Sequence, residues 1–552
     1  MKSPLDALFI GYEDQENLGL RYIMAYLQRE GFTSRLLPYS KTAFSEIVDS
    51  CAHLHPRFIG FSIIFQYALD DFARLARLLR SSGIQAHFTA GGHFPTLRPK
   101  ETLATIPELD SIVMGEGEVT TAELLSKLDS LSSSSTIPGL AYRARGGIIM
   151  NSPRPLIADL DGLPFPVRDK PHLLPRGIAS ASLLASRGCL FNCSYCSIRQ
   201  FYGRSPGRLR RARSPRAVVD EMRQLRETDN VRFFIFQDDD FAARSPQQRT
   251  WIKDFLRELE RARLSGEIRW KMSCRADDLN TDLLNACVDR GLIAVFLGIE
   301  SGNPTGLRTF NKLTTVERNI EAIECLKRLG MTFNMGFMLF DPDSTISTIR
   351  HNLQFLRSTV SDGSCPVNFC KMLPYAGTPI ERRLKEEHRM TGSLSQPNYD
   401  YHDPRLAWYE LFCAKVFHVR NFDSLGLVER LGVAKTDHMM AREFYGGEGL
   451  EDYGEQIRSL IARSNSAALD TLGAALDFME RQDEAGIVED WGLLEYFADR
   501  QWNEDTRLQK ELDRALMVNN PSIQRSYEAE FERRMAIRSQ ESPAEGLGEF
   551  ES

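Results

Sequence analysis

The sequence predicts an α/β protein of three domains: a doubly wound domain over residues 1–144, a partial β/α barrel over 181–380 and a mostly helical domain over 381–538. Three observations support this prediction. The 552 residues are enough for three or four domains. Apolar runs of strand length alternate with helical patterns as far as about residue 380, which is typical of parallel sheets with crossover helices. Beyond that point the strand signals stop and the helical patterns continue.

Composition and charge are those of an ordinary globular chain. Hydrophobic residues make up 42% of it and charged residues 26%, which excludes a disordered or fibrous class. The 68 Lys and Arg against 75 Asp and Glu leave a net charge of −7, so we do not expect a general nucleic-acid-binding protein. No apolar run approaches the ~20 residues that span a bilayer, and the amino terminus lacks the layout of a secretory signal. We therefore expect a cytoplasmic protein without membrane association.

The first domain begins with two apolar runs of strand length, residues 5–12 and 57–64, each followed by a helical pattern. In a doubly wound sheet the carboxyl ends of the strands meet at one edge, and ligands bind there. Four strand-end loops would line this edge: residues 13–19, 62–66, 91–93 and 115–118.

The second domain follows a proline-rich segment, residues 145–180, which we interpret as a linker. Six runs of strand type, with helical patterns between them, predict an open β/α barrel whose chemistry lies at the carboxyl ends of the strands. These runs cover residues 181–186, 231–237, 268–274, 294–300, 332–340 and 367–374. After the helical domain, residues 539–552 have no apolar periodicity and are predicted to be disordered.

Three cysteines stand just past the first barrel strand, Cys189, Cys193 and Cys196, in the spacing CxxxCxxC. Three thiolates can hold three irons of a cubane cluster and leave the fourth iron open to a ligand. A structural zinc site is the alternative, but it requires a fourth Cys or His at short range. No further Cys or His occurs between His172 and Cys274.

This motif, with Tyr195 before the last cysteine and a β/α barrel after it, resembles the radical S-adenosylmethionine (SAM) superfamily. The resemblance implies a 4Fe-4S cluster whose open iron binds SAM. It also implies an external one-electron reductant of the flavodoxin or ferredoxin type. Cleavage of SAM then yields a 5′-deoxyadenosyl radical that abstracts hydrogen from unactivated positions.

The resemblance also suggests which residues bind SAM. Tyr195 belongs to the cluster motif, and an acid of the stretch 237–241, Asp238 or Asp240, would contact the amino group. The usual Gly-Gly-Glu is absent, so the sequence does not decide between the two. Ser273 and Arg275 would serve the ribose and carboxylate, and Glu300 lies in a fifth-strand motif. For each acid, a solvated strand end or a helix cap remains an alternative.

A doubly wound domain directly before such a barrel is similar to the cobalamin-binding domain of cobalamin-dependent radical SAM enzymes. The similar stretches are residues 16–20, 90–96 and 115–118. The resemblance places the corrin across Asn17, Ser62, Gly91, Gly92, His93, Gly115 and Glu116. The first loop, residues 12–17, has no histidine, so base-off cobalamin without a histidine ligand from this loop is implied. His93 is expected to contact corrin side groups or the backbone. A degenerate domain without the cofactor is the alternative.

The resemblance implies a methyltransferase that moves a methyl group from methylcobalamin to an unactivated carbon, or less often phosphorus, of a small-molecule biosynthetic intermediate. An oxidative cyclase or ring-rearranging oxidoreductase is the second hypothesis for the function, and a non-catalytic cofactor-binding sensor is the third. A tRNA methylthiotransferase would need a second cysteine trio in the first domain, where only Cys51 occurs.

Two regions lie outside these assignments. The arginine-rich stretch 199–216 leaves RNA binding open as an alternative, although we do not expect nucleic acid as a partner. The helical domain is expected to recognise the small-molecule substrate, with residues 406–419 as a helix over the barrel mouth.

Overall fold

The computed structural model describes residues 5–13, 15–128, 131–242 and 244–540. Among them, no helix combines the length and the apolar character that crossing a bilayer requires. Residues 541–552, most of the tail predicted to be disordered, lie outside the described residues.

The first domain is a seven-stranded sheet in the order β2-β1-β3-β4-β5-β6-β7. Strands β1 to β5 are parallel, and β6 and β7 add an antiparallel hairpin. Strands β1 and β3 are buried along their whole length, as expected of central strands with helices on both faces. The elements are β1 Ala7–Gly11, α1 Leu18–Arg29, β2 Ser34–Pro38, α2 Phe44–Leu54, β3 Phe58–Ser62, α3 Leu69–Ser81, β4 His87–Gly91, α4 His93–Leu97, α5 Pro99–Thr105, β5 Ser111–Val113, α6 Glu118–Ser126, β6 Leu140–Ala144 and β7 Gly147–Met150.

The second sheet has the order β16-β15-β14-β13-β12-β9-β8. Its strands are parallel except for β8, which pairs antiparallel with β9. The predicted fold class, a partial β/α barrel after a doubly wound domain, is confirmed. The elements are β8 His172–Leu174, β9 Ile178–Leu183, β10 Ser186–Arg187, α7 Ile198–Tyr202, β11 Arg211–Ala212, α8 Pro215–Asp229, β12 Phe233–Phe236, α9 Pro246–Arg261, β13 Arg269–Arg275, α10 Thr281–Val288, β14 Leu292–Glu300, α11 Pro304–Thr309, α12 Val316–Arg328, β15 Thr332–Phe340, α13 Ile346–Val360 and β16 Cys370–Lys371.

The two faces of the barrel sheet differ in character. On β13, Trp270, Met272 and Cys274 belong to the large core under the outer helices. Because side chains alternate along a strand, Lys271 and Ser273 occupy the opposite, concave face. Phe296, which pairs with Ser273 on the next strand, is 38% exposed. The concave face of the central strands therefore encloses an open lumen.

The third domain is mostly helical and closes two sides of the barrel. Its elements are α14 Pro379–Glu386, β17 Met390–Gly392, β18 Pro397–Tyr399, α15 Arg405–Phe422, α16 Leu427–Phe444, α17 Leu450–Arg481, α18 Glu484–Glu489, α19 Trp491–Asn519 and α20 Pro521–Gln540. Met439 and Met440 of α16 pack on Ile178, Phe233 and Ile293, so this helix plugs the barrel at the amino ends of the strands.

Helix α15 contains the segment expected over the barrel mouth, but it covers the open edge of the sheet. Arg420 Nη1 donates to the Val367 carbonyl at 3.2 Å, and Asn421 Nδ2 donates to the Phe369 carbonyl at 3.3 Å. Both carbonyls lie just before β16, which is the edge strand of this sheet in the described part of the chain. Side chains of α15 thus satisfy edge carbonyls that would otherwise be buried without partners.

Candidate cofactor site

The three cysteines lie in one loop, residues 188–197, which we call the cluster loop. It follows β9 and β10 at the carboxyl end of the barrel sheet. The Gly188 amide donates to Asp239 Oδ2 at 2.8 Å. The Ser194 amide donates to the Phe310 carbonyl at 2.9 Å, and its hydroxyl donates to the Thr309 carbonyl at 2.6 Å. The loop is therefore fixed through its backbone and Ser194, and none of its three thiols is in a disulfide with another described residue.

The thiols form a set of donors suited to iron. Burial, together with the neighbouring groups, raises the pKa of Cys189 to about 11 and that of Cys196 to about 12. Since the thiolate is the metal-binding form, binding iron must displace protons here. No three Cys, His, Asp or Glu side chains among the described residues are grouped to hold a single metal ion. A cubane differs, because each cysteine binds a separate iron, and three cysteines fit a 4Fe-4S cluster with one open iron.

The aspartate triplet after β12 has three different environments. Asp238 accepts from Ser186 Oγ at 2.5 Å and from the Ala185 amide at 3.0 Å, so both its oxygens hold the start of the cluster loop. Asp239 holds the Gly188 amide. Asp240 is buried, and its Oδ1 has no hydrogen-bond partner among the described residues. Of the two acids that the sequence left open, only Asp240 has a carboxylate oxygen without a partner among the described residues, and its carboxyl is buried close to that of Asp278.

Arg275 braces the cluster loop from β13. Its Nη1 lies 3.6 Å from Cys193 Sγ, and its guanidinium stacks over the Phe191 ring at 3.8 Å. The same group pairs with Asp277 at 3.0 Å and donates to the Lys312 carbonyl. The predicted contact with SAM would require a guanidinium that is already engaged. Ser273, in contrast, lies half-buried on the concave face, and its hydroxyl has no partner among the described residues.

Glu300 ends β14 and connects the barrel to the cluster loop. Its backbone φ is +66°, an uncommon conformation for a residue other than glycine. Its Oε1 accepts from Lys312 Nζ at 3.1 Å, and its carboxylate is hydrogen-bonded to Tyr195. Burial and then the charge of Glu300 raise the pKa of Tyr195 well above its usual range. A left-handed residue held by two buried partners at a strand end is the type of strain found at functional sites.

A cavity of about 610 Å³ lies between the first domain and residues of the second domain that flank the cluster loop. All the residues predicted to contact the corrin line it: Asn17, Ser62, Gly91, Gly92, His93, Gly115 and Glu116. From the second domain, Arg187, Phe201, Tyr202 and Gln237 contribute to the wall. The structure thus brings the strand-end loops of both domains to one chamber of a size typical of small-molecule sites.

The backbone at Gly92 comes close to the neighbouring loop. Its φ is +105°, and a Cβ there would meet the Ile63 carbonyl at 2.8 Å. Only glycine fits this position. Asn17, on the other side of the cavity, caps α1: its Oδ1 accepts from the Leu20 amide at 3.2 Å, and its Nδ2 donates to the Tyr12 carbonyl at 3.1 Å. The glycine lets the loops after β3 and β4 approach each other in the cavity wall, and the cap fixes the first loop.

Glu116 joins the two domains. Its carboxylate pairs with Arg187 at 3.0 Å and with Arg211 at 2.8 Å, and it accepts from the Ile157 amide at 2.7 Å. Arg187 also pairs with Glu118 at 2.7 Å. These charges are nearly fully buried, so breaking a pair would leave an uncompensated charge. Glu116, predicted as a cofactor contact, is at the same time the centre of a domain clamp.

His93 is held against the second domain. Its Nδ1 lies 3.2 Å from Ser197 Oγ, and its ring stacks on Phe201 with centroids 4.5 Å apart. Burial lowers the pKa of His93 to about 4, so the ring is neutral at physiological pH. The expectation that His93 satisfies local groups agrees with this geometry, and a role as cobalt ligand would have to use the other ring nitrogen.

Sequence reasoning missed two aromatic residues of the cavity. Phe65 and Tyr67 follow β3, stack with ring centroids 5.2 Å apart and line the chamber, and they are 40% and 44% exposed. Exposed rings at a strand end are candidates for contact with a flat ligand. The signal was present as an aromatic pair directly after a buried strand, within the predicted ligand edge.

Comparisons with known proteins agree with this arrangement. Residues 11–125 match the B12 binding domain, and residues 183–356 match the Radical SAM superfamily. An uncharacterized methyltransferase of Pyrococcus horikoshii is 27% identical over 370 residues, which cover 66% of this chain and 77% of that protein. An anaerobic magnesium-protoporphyrin IX monomethyl ester cyclase of Rubrivivax gelatinosus is 28% identical over 395 residues, which cover 68% of this chain and 69% of that protein.

Among solved structures, the chain is similar to OxsB, described as a cobalamin-dependent S-adenosylmethionine radical enzyme with aqua-cobalamin bound. The TM-score is 0.65 at 17% identity, and the match covers 94% of this chain and 84% of that one. At this identity the likeness shows a common fold, which extends into the helical domain. The two matched domains imply cobalamin, a 4Fe-4S cluster and SAM as cofactors. A B12 binding domain followed by a radical SAM barrel that carries the three-cysteine loop makes this chain a member of the cobalamin-dependent radical SAM family.

Proposed function

We propose that this enzyme is a methyltransferase that transfers a methyl group to an unactivated carbon, or less often to phosphorus, of a small-molecule biosynthetic intermediate. The observation that carries the proposal is the shared chamber: strand-end loops of the B12 binding domain and residues next to the cluster loop line one cavity of about 610 Å³. A substrate there would lie within reach of both cofactors. The relative from Pyrococcus horikoshii, named a methyltransferase, supports the proposal.

When bound, cobalamin would supply the methyl group, and the cluster with SAM would supply the radical that activates the substrate. The residues of the chain hold and shield these groups. Cys189, Cys193 and Cys196 would bind the cluster, and Asp240 would accept hydrogen bonds from the amino group of SAM. Gly92 allows two loops of the chamber wall to approach each other. Residues of the helical domain keep water from the amino end of the barrel, because Met439 and Met440 plug it.

An oxidative cyclase is the second candidate function. It is favoured by the cyclase of Rubrivivax gelatinosus, whose identity to this chain equals that of the methyltransferase relative within one percentage point. A cyclase would use the same cluster and SAM but would transfer no methyl group to its product.

The two functions can be separated before the substrate is known. The protein, loaded with cluster and cobalamin under anaerobic conditions, is incubated with reductant and with SAM whose methyl group carries deuterium. A methyltransferase should pass the labelled methyl group to cobalamin, which mass spectrometry detects. The Cys193→Ala variant, which should lack the cluster, shows whether labelling of cobalamin requires the cluster or only SAM. Release of 5′-deoxyadenosine without any label on cobalamin would contradict the proposal and favour the cyclase. If neither 5′-deoxyadenosine nor labelled cobalamin is formed, a cofactor-binding sensor is favoured.

A further inference from the structure

The arginine-rich stretch 199–216 separates into two sets in the structure. Arg211 and Arg213 are buried and pair with Glu116 at 2.8 Å and Glu221 at 2.5 Å. The second set, Arg199, Arg204 and Arg208, lies at the surface. Among the described residues, none of these three has a carboxylate oxygen within the 4.0 Å of an ion pair. Arg199 and Arg204 donate to the carbonyls of Leu190 and Leu97 instead.

Two more arginines flank the same loop from the other side. Arg308 ends α11, next to the Thr309 and Phe310 carbonyls that hold Ser194. Arg382 lies on α14, where the Ile380 amide donates to the Ser194 carbonyl at 3.0 Å. Both side chains are exposed, and neither has a carboxylate partner in the part of the chain that the structure describes. We call Arg199, Arg204, Arg208, Arg308 and Arg382 the basic rim, since each belongs to a segment that contacts the cluster loop or directly continues from it.

The centre of this surface is apolar. Leu190 of the cluster loop is 55% exposed, and Leu313, which follows α11, is 68% exposed. Asn311 Nδ2 donates to the Asn192 carbonyl at 2.7 Å and so fixes the second segment to the loop. Cys189, beside Leu190, is itself only half-buried. Exposed leucines and the arginines of the basic rim thus lie on the same segments, those that form or contact the loop in which Cys189 is half-buried.

This combination fits a redox protein better than RNA. Single-stranded RNA binding requires exposed rings for base stacking, and the ring in this stretch nearest the loop, Phe201, is buried under His93. Electron transfer slows steeply with distance, so a carrier has to dock where the cluster is nearest the surface. On a chain of net charge −7, a local rim of unpaired cations steers an anionic partner to that place.

We propose that the basic rim, with Leu190 and Leu313, is the docking surface of an acidic one-electron carrier protein of the flavodoxin type. One electron passes from the reduced carrier, which is oxidised, to the oxidised cluster, which is reduced; no bond is formed or broken. The proposal rests on the proposed function only in requiring the cluster, and it holds equally for a methyltransferase and for a cyclase.

The test compares two reductants on the full-length protein with its cluster. The double variant Arg208→Glu/Arg382→Glu reverses two rim charges whose side chains make no hydrogen bond among the described residues. Arg263→Glu/Arg328→Glu is the matched control, because both arginines are exposed near the ends of α9 and α12, away from the cluster loop. The rate of cluster reduction is followed as loss of visible absorbance, with reduced flavodoxin and separately with dithionite.

We expect the rim variant to lose about tenfold or more of its rate with flavodoxin at low salt and none with dithionite, while the control keeps both rates. Added salt should slow the wild type and affect the rim variant little. An unchanged flavodoxin rate would overturn the proposal, and so would equal slowing by both reductants, since the substitutions would then act on the cluster. Binding of a 20-nucleotide single-stranded RNA that is lost in the rim variant would assign the surface to RNA instead.

Discussion

Asp240 shows how much at this site depends on single carboxylates. Asp238 and Asp240 are only two residues apart. Both oxygens of Asp238 accept hydrogen bonds, from Ser186 and from the Ala185 amide, whereas Asp240 has one oxygen without a partner among the described residues. Burial, and then the charge of Asp278 and the hydrogen bond to it, raises the pKa of Asp240 to about 8. A buried carboxyl next to a second carboxyl is costly to ionise. The arrival of a cationic amino group would favour its ionised form.

The Asp240→Asn variant should therefore gain stability and lose SAM. Between the ordinary carboxyl pKa and about 8, the folded protein holds a proton that the unfolded chain has released, so the free energy of unfolding falls as pH rises through this window. Asparagine does not titrate, and urea denaturation of the variant should show a shallower fall between pH 5 and pH 8. Calorimetry on the cluster-loaded variant should show SAM binding about tenfold weaker or more. Asp254→Asn, on the outer helix α9, should change neither, and an unchanged pH dependence in Asp240→Asn would refute the assignment.

The cysteines allow a direct prediction. Replacing Cys189, Cys193 or Cys196 by Ala should remove the cluster's absorbance and bring iron to background, because three ligands are the fewest that hold the cubane with one open iron. Cys287→Ala and Cys325→Ala, which remove buried thiols of α10 and α12, should keep full iron content. Finding a fourth cysteine essential for iron would contradict the open-iron assignment.

His93 predicts the state of cobalamin. The protein should bind it base-off, and His93→Ala should keep the same absorption spectrum, because the neutral ring is engaged with Ser197 and Phe201. Loss of a nitrogen-ligated spectrum in His93→Ala would show instead that the other ring nitrogen reaches cobalt. Ser197→Ala serves as the companion variant, since it frees the ring without removing it.

At the scale of elements, α15 has a role that its own sequence does not reveal. Its apolar residues predict a helix, and the helix forms over Arg405–Phe422. Its position over the sheet depends on contacts with residues outside the helix. The edge of the sheet beside β16 presents carbonyls, and Arg420 and Asn421 of the helix donate hydrogen bonds to them. Both side chains are buried. An edge covered in this way cannot pair with a second chain.

Removing one of these donors should weaken the fold. Asn421→Ala leaves the Phe369 carbonyl without its donor and removes one of the two acceptors of Arg420 Nη1, and we expect a loss of about 1–3 kcal/mol in the free energy of unfolding. Asn503→Ala, an exposed asparagine on α19, is the control and should stay within about 0.5 kcal/mol of the wild type. Equal urea midpoints for the two variants would mean that the edge carbonyl is satisfied by water.

At the scale of the whole molecule, the clamp around Glu116 determines how the domains sit over the chamber. Glu116→Gln keeps the shape of the side chain but leaves the buried Arg187 and Arg211 short of a counter-charge, a loss of about 3–5 kcal/mol for a buried pair. We expect cobalamin affinity to fall at least tenfold while iron content is unchanged. Glu123→Gln, at the more exposed pair between the first domain and Arg154 of the predicted linker, is the control. Tight cobalamin binding in Glu116→Gln would show that the loops hold the corrin without the clamp.

Much of this organisation could be predicted from the sequence, because it is local. The strands of the barrel are aromatic and β-branched runs, and the cysteine spacing lies within eight residues. The predicted linker is different: Gly147–Met150 is a strand of the first sheet and His172–Leu174 a strand of the second. Their pairing is set by partners far along the chain. The same holds for the choice between Asp238 and Asp240 and for the clamp, which depend on hydrogen bonds and ion pairs between distant segments.

The two methionines of α16 that plug the barrel also restrict access to its lumen. With the amino end of the barrel closed by Met439 and Met440, a molecule cannot reach the lumen through that end, whether it is substrate, a spent cofactor fragment or dissolved oxygen. The carboxyl end of the strands, next to the first domain, is left as a route. Entry and exit at that same end would compete, so each turnover would require the product to leave before the next substrate binds.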